Sequence, residues 1–171
     1  MTLPDLPNVP PFYMTYVNYV KDADLLKAMK ESSKVTLQLV RSIPEAKGEF
    51  RYQPEKWSIK ELLCHMIDTE RIFAYRALRF ARKDKTPLAG FEEKDYAPEA
   101  NAHNRTIESI ANEMEHVRQT SIDLYTSFSE AMLSHTGKAN NTEVSVLNLG
   151  YIISGHELHH RKVLLDRYLT I

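Results

Sequence analysis

Two histidines near the C-terminus have the spacing that suits a shared metal ion. The stretch SGHELHHR at positions 154–161 places His156 and His160 four residues apart. On a helix these two would lie on one face, one turn apart, whereas His159 would point elsewhere. Two imidazoles in a dry core each need a hydrogen-bond partner, but one divalent metal binds both neutral rings. The pair therefore predicts a metal site that requires a third ligand.

The residues around this pair predict that it lies on a buried helix face. Apolar residues recur there at helical spacing: Val146, Leu149, Ile153 and Val163. For one histidine alone, a core residue bonded to a carbonyl is the better interpretation, but two in one seam favour a metal. The stretch also matches the His-Glu-x-x-His motif of metallopeptidases. That hypothesis is disfavoured, because Glu157 directly follows His156 and is expected to face away from the seam.

Four segments have the apolar periodicity of long helices, at about residues 22–42, 58–82, 106–128 and 144–169. The connections at 84–104 and 129–142 contain turn-forming residues and no sustained period, so they are predicted to be loops. This pattern predicts an all-α protein, a four-helix bundle with long connecting loops. Loops as long as the first often cover a functional site, and Phe91 and Tyr96 are candidate apolar walls there.

The second helix has the clearest start signal. Ser58 and Glu61 have the spacing of a capping box, and Trp57 and Leu62 have the spacing of a hydrophobic staple around it. His65 lies toward the edge of the apolar stripe of this helix, so it is the candidate third imidazole from a facing helix. The alternative is a histidine on the helix surface.

Glu70 interrupts the apolar stripe of the same helix. A carboxylate is costly to bury alone, so it is predicted to lie at the wet end of the bundle, to pair with a base such as Arg71 or Arg105, or to lie near a metal site. Structural pairing is the favoured interpretation. If Glu70 reaches the site, it would orient a ligand or accept a proton. Cys64 lies about 100° round the helix from His65 and is not expected to be a ligand.

Composition fits one domain and excludes several classes of function. The chain has 171 residues and a formal net charge of −1, with acidic and basic residues interspersed. This balance argues against a nucleic-acid-binding surface and a polybasic membrane patch. The first twenty residues lack the features of a signal peptide, and no apolar run approaches membrane-spanning length. With its single cysteine, the chain is expected to be cytoplasmic.

Residues 1–21 are predicted to form an N-terminal arm ahead of a single helical domain at 22–171. The arm contains several aromatic residues: Phe12, Tyr13, Tyr16 and Tyr19. A short arm cannot bury this apolar surface by itself, so the protein is predicted to form a homodimer. The alternative is that the arm packs on its own domain.

Several of these motifs together resemble the DinB-like family of metal-binding four-helix proteins. The motifs are Trp57-Ser58-Ile59-Lys60-Glu61, His65, Asp68-Thr69-Glu70-Arg71 and Gly155-His156-Glu157-Leu158-His159-His160, within roughly residues 51–168. The resemblance implies a four-helix bundle in which His65, His156 and His160 hold a divalent metal. Zinc and nickel are the favoured ions, and imidazole ligands suit iron and copper as well, so the identity of the metal stays open. Dimers are common in the family, which agrees with the homodimer prediction.

The resemblance also implies a class of chemistry. Relatives include thiol transferases that use bacillithiol, mycothiol or glutathione. Three neutral nitrogens with one open position are typical of a catalytic zinc site, where a metal lowers the pKa of a bound thiol or water. The favoured hypothesis is therefore a metal-dependent transferase acting on a small-molecule thiol and an electrophile. The alternatives are a non-catalytic metal-binding or stress-response bundle, a metal-dependent hydrolase and a plain bundle. Arg161-Lys162-Val163 replaces the Arg-Gly-Gln of many members, which leaves the functional subgroup open.

Overall fold

Seven α-helices and one β-hairpin make up the part of the chain that the structure describes. The computed structural model describes residues 9–20 and 23–170. The elements are α1 Pro11–Val17, α2 Leu25–Ser42, α3 Ile59–Ala81, α4 Glu93–Glu99, α5 Ile107–Thr126, α6 Glu130–Leu133, β1 Thr136–Ala139, β2 Thr142–Ser145 and α7 Val146–Val163. A π-helical turn, Leu164–Tyr168, continues α7 directly. Within these ranges, no helix is both long and apolar enough to cross a lipid bilayer.

The four long helices α2, α3, α5 and α7 pack as a four-helix bundle. Helix α2 packs against α5 and α7, and α3 packs against the same two helices. Helices α2 and α3 therefore lie diagonally across the bundle, although they follow each other in the chain. This arrangement confirms the all-α four-helix bundle predicted from the four periodic segments.

A layer of polar side chains lies between two apolar clusters in the core. On α3, for example, Leu63 and Ile67 belong to one cluster, whereas Phe73 and Ala77 belong to the other. The layer contains the following buried residues: Ser32, Thr36, His65, Glu70, Arg118, His156, Glu157 and His160. Burying so many polar groups is unfavourable unless they bond to one another or to a ligand. This layer is therefore the first place to look for a functional site.

The start of α3 has the predicted capping box. The Ser58 hydroxyl accepts a hydrogen bond from the Glu61 backbone N–H at 3.2 Å, and the Glu61 carboxylate accepts one from the Ser58 N–H at 2.6 Å. These bonds satisfy backbone donors that the first helical turn leaves unpaired. They fix where α3 begins, and so fix the direction of His65 two turns later.

The first long helix begins later than its apolar pattern predicts. Helix α2 starts at Leu25, and the Asp24 side chain caps it by accepting a hydrogen bond from the Lys27 N–H at 2.9 Å. The predicted start near Asp22 lies outside the described residues. Aspartate favours this position because its side chain bonds the free N–H groups of the first turn. The end of the helix at Ser42, before Pro44, agrees with the prediction.

Both predicted loops contain secondary structure. The 84–104 connection contains α4 and a 3₁₀ turn, Ala102–Asn104, and the 129–142 connection contains α6 and β1. Strands β1 and β2 pair around Asn140 and Asn141, whose φ angles are 47° and 59°. A two-residue hairpin turn needs positive φ at both central positions, and asparagine tolerates it better than most residues. Leu88 also bridges to Ala139, which anchors the first connection to the hairpin.

The described part of the N-terminal arm is a short helix packed on its own domain. Helix α1 lies against α7, and its Val17 side chain is buried in the core. The approach is so close that a Cβ atom on Gly155 would collide with the carbonyl oxygen of Tyr16. Residues 1–8 and 21 of the predicted arm lie outside the described residues. The arm thus adds a wall to the domain on the side of α7.

Candidate metal centre

Three histidine side chains converge where α3 packs against α7. The Nε2 atom of His65 lies 3.1 Å from that of His156 and 3.2 Å from that of His160. The Nε2 atoms of His156 and His160 are 3.0 Å apart. The i, i+4 spacing brings the last two together on one face of α7, and the contact between the helices brings the first to them. The three nitrogens form a nearly equilateral triangle.

Hydrogen bonding alone cannot satisfy this triangle of nitrogens. Each hydrogen bond needs one donor and one acceptor, so three atoms that are each either donor or acceptor satisfy at most two of the three contacts. Protonation does not resolve the conflict. Burial lowers the pKa of His65 to about 4, and burial with the neighbouring histidines lowers the pKa values of His156 and His160 well below the ordinary range. The cluster consists of neutral rings directed at one point.

The spacing of the three nitrogens suits a single metal ion. With metal–nitrogen bonds of about 2.1 Å, neighbouring ligand nitrogens lie about 3.4 Å apart in tetrahedral geometry and about 3.0 Å apart in octahedral geometry. The observed distances of 3.0–3.2 Å fall between these limits. Within the described ranges, one group of metal-ligating side chains is close enough to hold an ion, and it consists of His65, His156 and His160. Three protein ligands leave at least one coordination position for a substrate or water.

Aromatic rings surround the three histidines. The Trp57 ring lies 4.7 Å from that of His65, and the Tyr16 ring lies 5.2 Å from that of His156, measured between centroids. The Thr69 hydroxyl is 3.5 Å from His65 Nδ1, which is a weak contact. These rings exclude water from the sides of the cluster, and they hold the imidazoles in place mainly by packing.

One side of the cluster is closed by a buried ion network. Arg118 donates to both carboxylate oxygens of Glu70, each at 2.8 Å, and also to Glu157. The favoured prediction, that Glu70 pairs with a basic side chain, is confirmed, but the base is Arg118. The two arginines suggested as partners, Arg71 and Arg105, pair with Glu113 instead. They lie nearer the surface, whereas Arg118 projects from α5 into the core. Both oxygens of Glu70 thus accept a hydrogen bond from Arg118, which fixes the position of the carboxylate.

Glu157 belongs to the same network. It accepts hydrogen bonds from the Ser32 hydroxyl at 3.1 Å and from the Thr36 hydroxyl, in addition to Arg118. Its side chain therefore points from α7 toward α2 and α5. In a peptidase of the His-Glu-x-x-His type, the glutamate acts as a base on water at the metal. The bonds of Glu157 instead connect three helices, which agrees with the sequence-based argument against a peptidase.

The other side of the cluster opens into a pocket of about 400 Å³. All three histidines line it, together with aromatic residues from α1, α3 and the 84–104 connection: Tyr13, Tyr16, Phe73 and Phe91. Phe91 is a pocket wall, as predicted. Tyr96 is not among the lining residues; its ring packs on Phe91 at 5.3 Å and is largely exposed. The predicted cover thus contributes through Phe91, Glu92 and the first residue of α4, Glu93, and not through the rest of that helix.

The remaining candidate side chains lie away from the three nitrogens. His159 is half-buried between Tyr16 and Tyr19, with ring centroids 5.3 and 6.3 Å away. Cys64 is buried on another face of α3 near Arg105, 3.9 Å from its guanidinium, and burial raises the pKa of its thiol to about 11. Neither residue belongs to the group that can hold a metal, in agreement with the sequence analysis.

Two arginines near the site have no role in the sequence-based hypothesis. Arg118 follows the buried Met114 by four residues, and Arg76 follows the buried Phe73 by three. Both therefore occupy inward positions by helical spacing. A basic residue at a position where helical spacing predicts an apolar one could have identified both arginines from the sequence. Glu70 was identified as a candidate on α3 by the same kind of interruption.

Comparison with known proteins assigns the chain to a superfamily and agrees with the fold. A sequence profile of the DinB superfamily matches residues 28–164, which include all three histidines, so the chain belongs to this superfamily. Among curated protein sequences, none matches this chain significantly. The family assignment therefore rests on the profile, and the solved structures add the fold.

Solved structures with the same fold have low sequence identity to this chain. YfiT from Bacillus subtilis, described as a probable metal-dependent hydrolase with an unusual four-helix bundle topology, has a TM-score of 0.76 and 9% identity, over 96% of this chain and 91% of that chain. A mycothiol-dependent maleylpyruvate isomerase has a TM-score of 0.68 and 13% identity, over 90% of this chain. The match covers 62% of the isomerase. These likenesses show the fold alone.

Proposed function

We propose that the protein is a divalent-metal-dependent transferase that joins a small-molecule thiol to an electrophile. The observation that supports this most is the triangle of three imidazole nitrogens at one side of an open pocket. In this proposal His65, His156 and His160 are the metal ligands, and zinc and nickel are the favoured ions. When bound, the metal would lower the pKa of a thiol, so that the thiolate forms near neutral pH.

The residues of the chain would hold and shield the reacting groups. The rings of Tyr16 and Trp57 shield the sides of the histidine cluster from water, whereas the pocket itself stays open to a substrate. Arg118 holds Glu70 and Glu157 in place behind the histidines and keeps that side of the cluster closed. A direct role for Glu70 as proton acceptor is also part of this proposal, through the lone pairs that its two bonds with Arg118 leave free.

A metal-dependent hydrolase is the second candidate. The structure most similar in fold among those given above is described as a probable metal-dependent hydrolase, and the same three nitrogens would serve a bound water as well as a thiol. The transferase is preferred because a second neighbour in fold is a mycothiol-dependent enzyme.

Metal content tests the first step of this proposal. Freshly purified protein should contain about one divalent ion per chain by elemental mass spectrometry, and chelated protein should take up one zinc or nickel ion. His160→Ala should lose the ion, because two imidazoles bind a divalent metal far more weakly than three. His103→Ala is the matched control, since His103 is exposed on the 3₁₀ turn away from the cluster. Wild-type protein without stoichiometric metal uptake would rule the proposal out.

Activity measurements then separate the two candidates. Metal-loaded protein is mixed with bacillithiol or glutathione and a chloro-dinitrobenzene, so that a C–S bond forms, chloride leaves and the thiol proton passes to solvent. A rate above the metal-free reaction that disappears in His160→Ala supports the transferase. Hydrolysis of an activated ester without any thiol supports the hydrolase instead. Stoichiometric metal with neither activity leaves the non-catalytic metal-binding bundle as the better account.

We also propose that the protein forms a homodimer. Because α1 packs on its own domain, most of the arm no longer needs a partner chain for burial. Phe12 still exposes 72% of its surface beside Tyr13 and Tyr16, which offers an apolar patch for a second copy. Light scattering at working concentration should give twice the mass of one chain, and Phe12→Ser should shift it toward one chain. A wild-type mass of one chain would contradict the dimer.

A further inference from the structure

Arg76 is a buried arginine beside the pocket that forms no ion pair with any described residue. Its side chain is 4% exposed, and it belongs to the lining of the same pocket as the three histidines. The guanidinium donates one hydrogen bond to the Ala89 carbonyl at 2.9 Å and lies beside the Tyr13 hydroxyl. It also packs over the rings of Phe73 and Phe91, 5.3 and 5.9 Å from their centroids. These contacts are neutral, so the positive charge has no anionic partner there.

Other buried basic groups in the described ranges differ from Arg76 in this respect. Arg118 binds Glu70 and Glu157, and Lys60 binds Glu45 at 2.7 Å. An isolated buried charge is unfavourable by several kcal/mol, which is why buried charges are usually paired. Burial accordingly lowers the pKa of Arg76 from its usual value, although an arginine remains charged at neutral pH. A charge left unpaired beside an open pocket is available for a ligand.

The acidic side chains at the pocket do not replace that missing partner. Glu92 and Glu93 line the pocket from the start of α4, but Glu92 is exposed and caps the helix by accepting from the Lys94 N–H at 3.3 Å. Glu93 is only half-buried, and its charge acts on Tyr13 and Tyr16. Solvated carboxylates at a rim gain little from a cationic ligand. The desolvated guanidinium gains much more from an anionic one, because charge-assisted hydrogen bonds are stronger away from water.

The position of Arg76 on α3 also limits the shape of such a ligand. Arg76 is eleven residues after His65, which is about 20° from exact alignment, so both side chains lie on one face of the helix. Their backbones are about 16 Å apart along the axis, and the arginine side chain leans back toward the histidine. The apolar rings of Tyr13, Tyr16 and Phe73 line the pocket with them. A ligand that contacts both ends is elongated, with an apolar body and a negative charge at one end.

We propose that Arg76 binds the carboxylate of the substrate, so that the pocket takes an elongated carboxylate-bearing molecule whose other end lies at the histidine cluster. This inference rests on the proposed function, because it names the class of electrophile or ester that the same site would use. Arginine suits this role, since its planar guanidinium can donate two parallel hydrogen bonds to a carboxylate.

A pair of probes of matched shape tests the inference in the wild-type protein. 4-Phenylbutyrate carries the carboxylate, and 4-phenylbutyramide replaces it with a neutral amide. Trp57 is the single tryptophan of the chain and lines the pocket, so its fluorescence reports occupancy. We expect the carboxylate to bind about 10- to 100-fold more tightly than the amide, both in the protein as purified and after chelation. Equal affinity for the two probes would overturn the inference.

Substitutions then test whether Arg76 provides the preference. Arg76→Met should lose the preference for the carboxylate, and Arg76→Lys should keep it at lower affinity, because the charge remains without the planar fork. Arg79→Met is the matched control, since Arg79 is one turn away and pairs with Asp84 outside the pocket. Unchanged carboxylate affinity in folded Arg76→Met would overturn the inference. If that variant does not fold, the inference is tested with Arg76→Lys and with the wild-type protein. Unchanged carboxylate affinity in Arg76→Lys, or equal affinity of the wild-type protein for the two probes, would overturn the inference.

The metal dependence of probe binding separates this inference from the proposed function. A carboxylate that binds the as-purified protein but not the chelated protein binds the metal and not Arg76, which overturns the inference and leaves the metal site intact. The opposite outcome is that chelated protein still prefers the carboxylate probe but does not take up stoichiometric metal. This outcome would support Arg76 as the carboxylate site and refute the metal-dependent transferase.

Discussion

Two arginines on opposite sides of the histidine cluster are equally buried but have different surroundings. Arg118 is 3% exposed and Arg76 is 4% exposed. Arg118 binds two carboxylates and the Met29 carbonyl, whereas Arg76 contacts a carbonyl, a hydroxyl and two rings. The first arginine connects α5 to α2, α3 and α7, and the second lines an open pocket. Equal burial therefore does not imply an equal role, and the presence of a counter-charge distinguishes the two.

His156 marks the boundary between these two regions. It lines both the open pocket and a small cavity of about 10 Å³ next to Glu70, Arg118 and Glu157. On the Arg118 side, polar groups are mutually satisfied and the free volume is about that of one water molecule. On the Arg76 side, the polar groups are incompletely satisfied and solvent can enter. The comparison predicts that mutations on the first side affect stability and mutations on the second side affect binding.

The largest effect is expected for Arg118→Met. This change leaves Glu70 and Glu157 buried without their shared cation, so the free energy of unfolding should fall by about 3–5 kcal/mol. Urea denaturation followed by circular dichroism measures it. Arg41→Met is the control, because Arg41 forms exposed pairs with Glu108 and Glu115, and it should change stability much less. Equal effects of the two substitutions would contradict the structural role of the Arg118 network.

The pH dependence of the metal-free protein tests the cluster between the two arginines. The folded-state pKa of His65 is about 4, below the ordinary value of about 6.5. The unfolded chain therefore binds more protons between these values, so stability is present above pH 6.5 and is lost as the pH falls toward 4. For His65 alone the loss is about 3 kcal/mol. Denaturation at several pH values should show this loss of stability in His103→Ala, the control, and a smaller loss in His65→Phe. Equal losses in the two variants would contradict the assignment of the effect to His65.

A smaller effect is expected for Thr36→Val on the closed side. The variant keeps the shape of the side chain but removes one hydrogen bond to the buried Glu157, which retains Ser32 and Arg118. The free energy of unfolding should fall by about 1–2 kcal/mol. Thr126→Val is the control, because the Thr126 hydroxyl donates to a carbonyl within its own helix, at 2.8 Å from Ile122 O. An effect no larger than that of the control would show that the Thr36 hydroxyl contributes little to holding Glu157.

The smallest stability effect is expected for Arg76→Met. Removing a buried charge that has no counter-charge should change the free energy of unfolding by less than about 1 kcal/mol, since the lost cation–π contacts are offset by the lower desolvation penalty. The same urea titration as for Arg118→Met provides the direct comparison. A loss as large as that of Arg118→Met would show that Arg76 is a structural residue, and the distinction between the two regions would not hold.

The four long helices and the pairing of His156 with His160 on one face follow from local rules that act within one helix. Apolar spacing predicts which face of each helix is buried, and the Ser58 and Glu61 pair predicts where α3 begins. Both of these predictions need only residues a few positions apart. The spacing of His156 and His160 is local in the same way, and His65 was added from its place on α3 and from the resemblance to a family.

The pairing of charges could not be predicted, because it depends on which helices are neighbours. Glu70 lies 48 positions from Arg118 in sequence, and their contact exists only because α3 packs on α5. Spacing places both Arg76 and Arg118 on inward faces, but it does not show that one faces carboxylates and the other a pocket. The hairpin is a different case, because its signal is local. Asn140-Asn141 has the composition of a two-residue turn, but the lack of a sustained period around it favours a loop.

The close approach of α1 to α7 has a consequence for comparing this chain with its relatives. Gly155 precedes a candidate metal ligand and leaves just enough room for the backbone of Tyr16. A relative with any side chain at the equivalent position must hold its N-terminal segment farther from the last helix. Its pocket would then lack the wall formed by Tyr13 and Tyr16. The residue before the first histidine of the pair can therefore sort members of the superfamily by pocket shape, even where their histidines are identical.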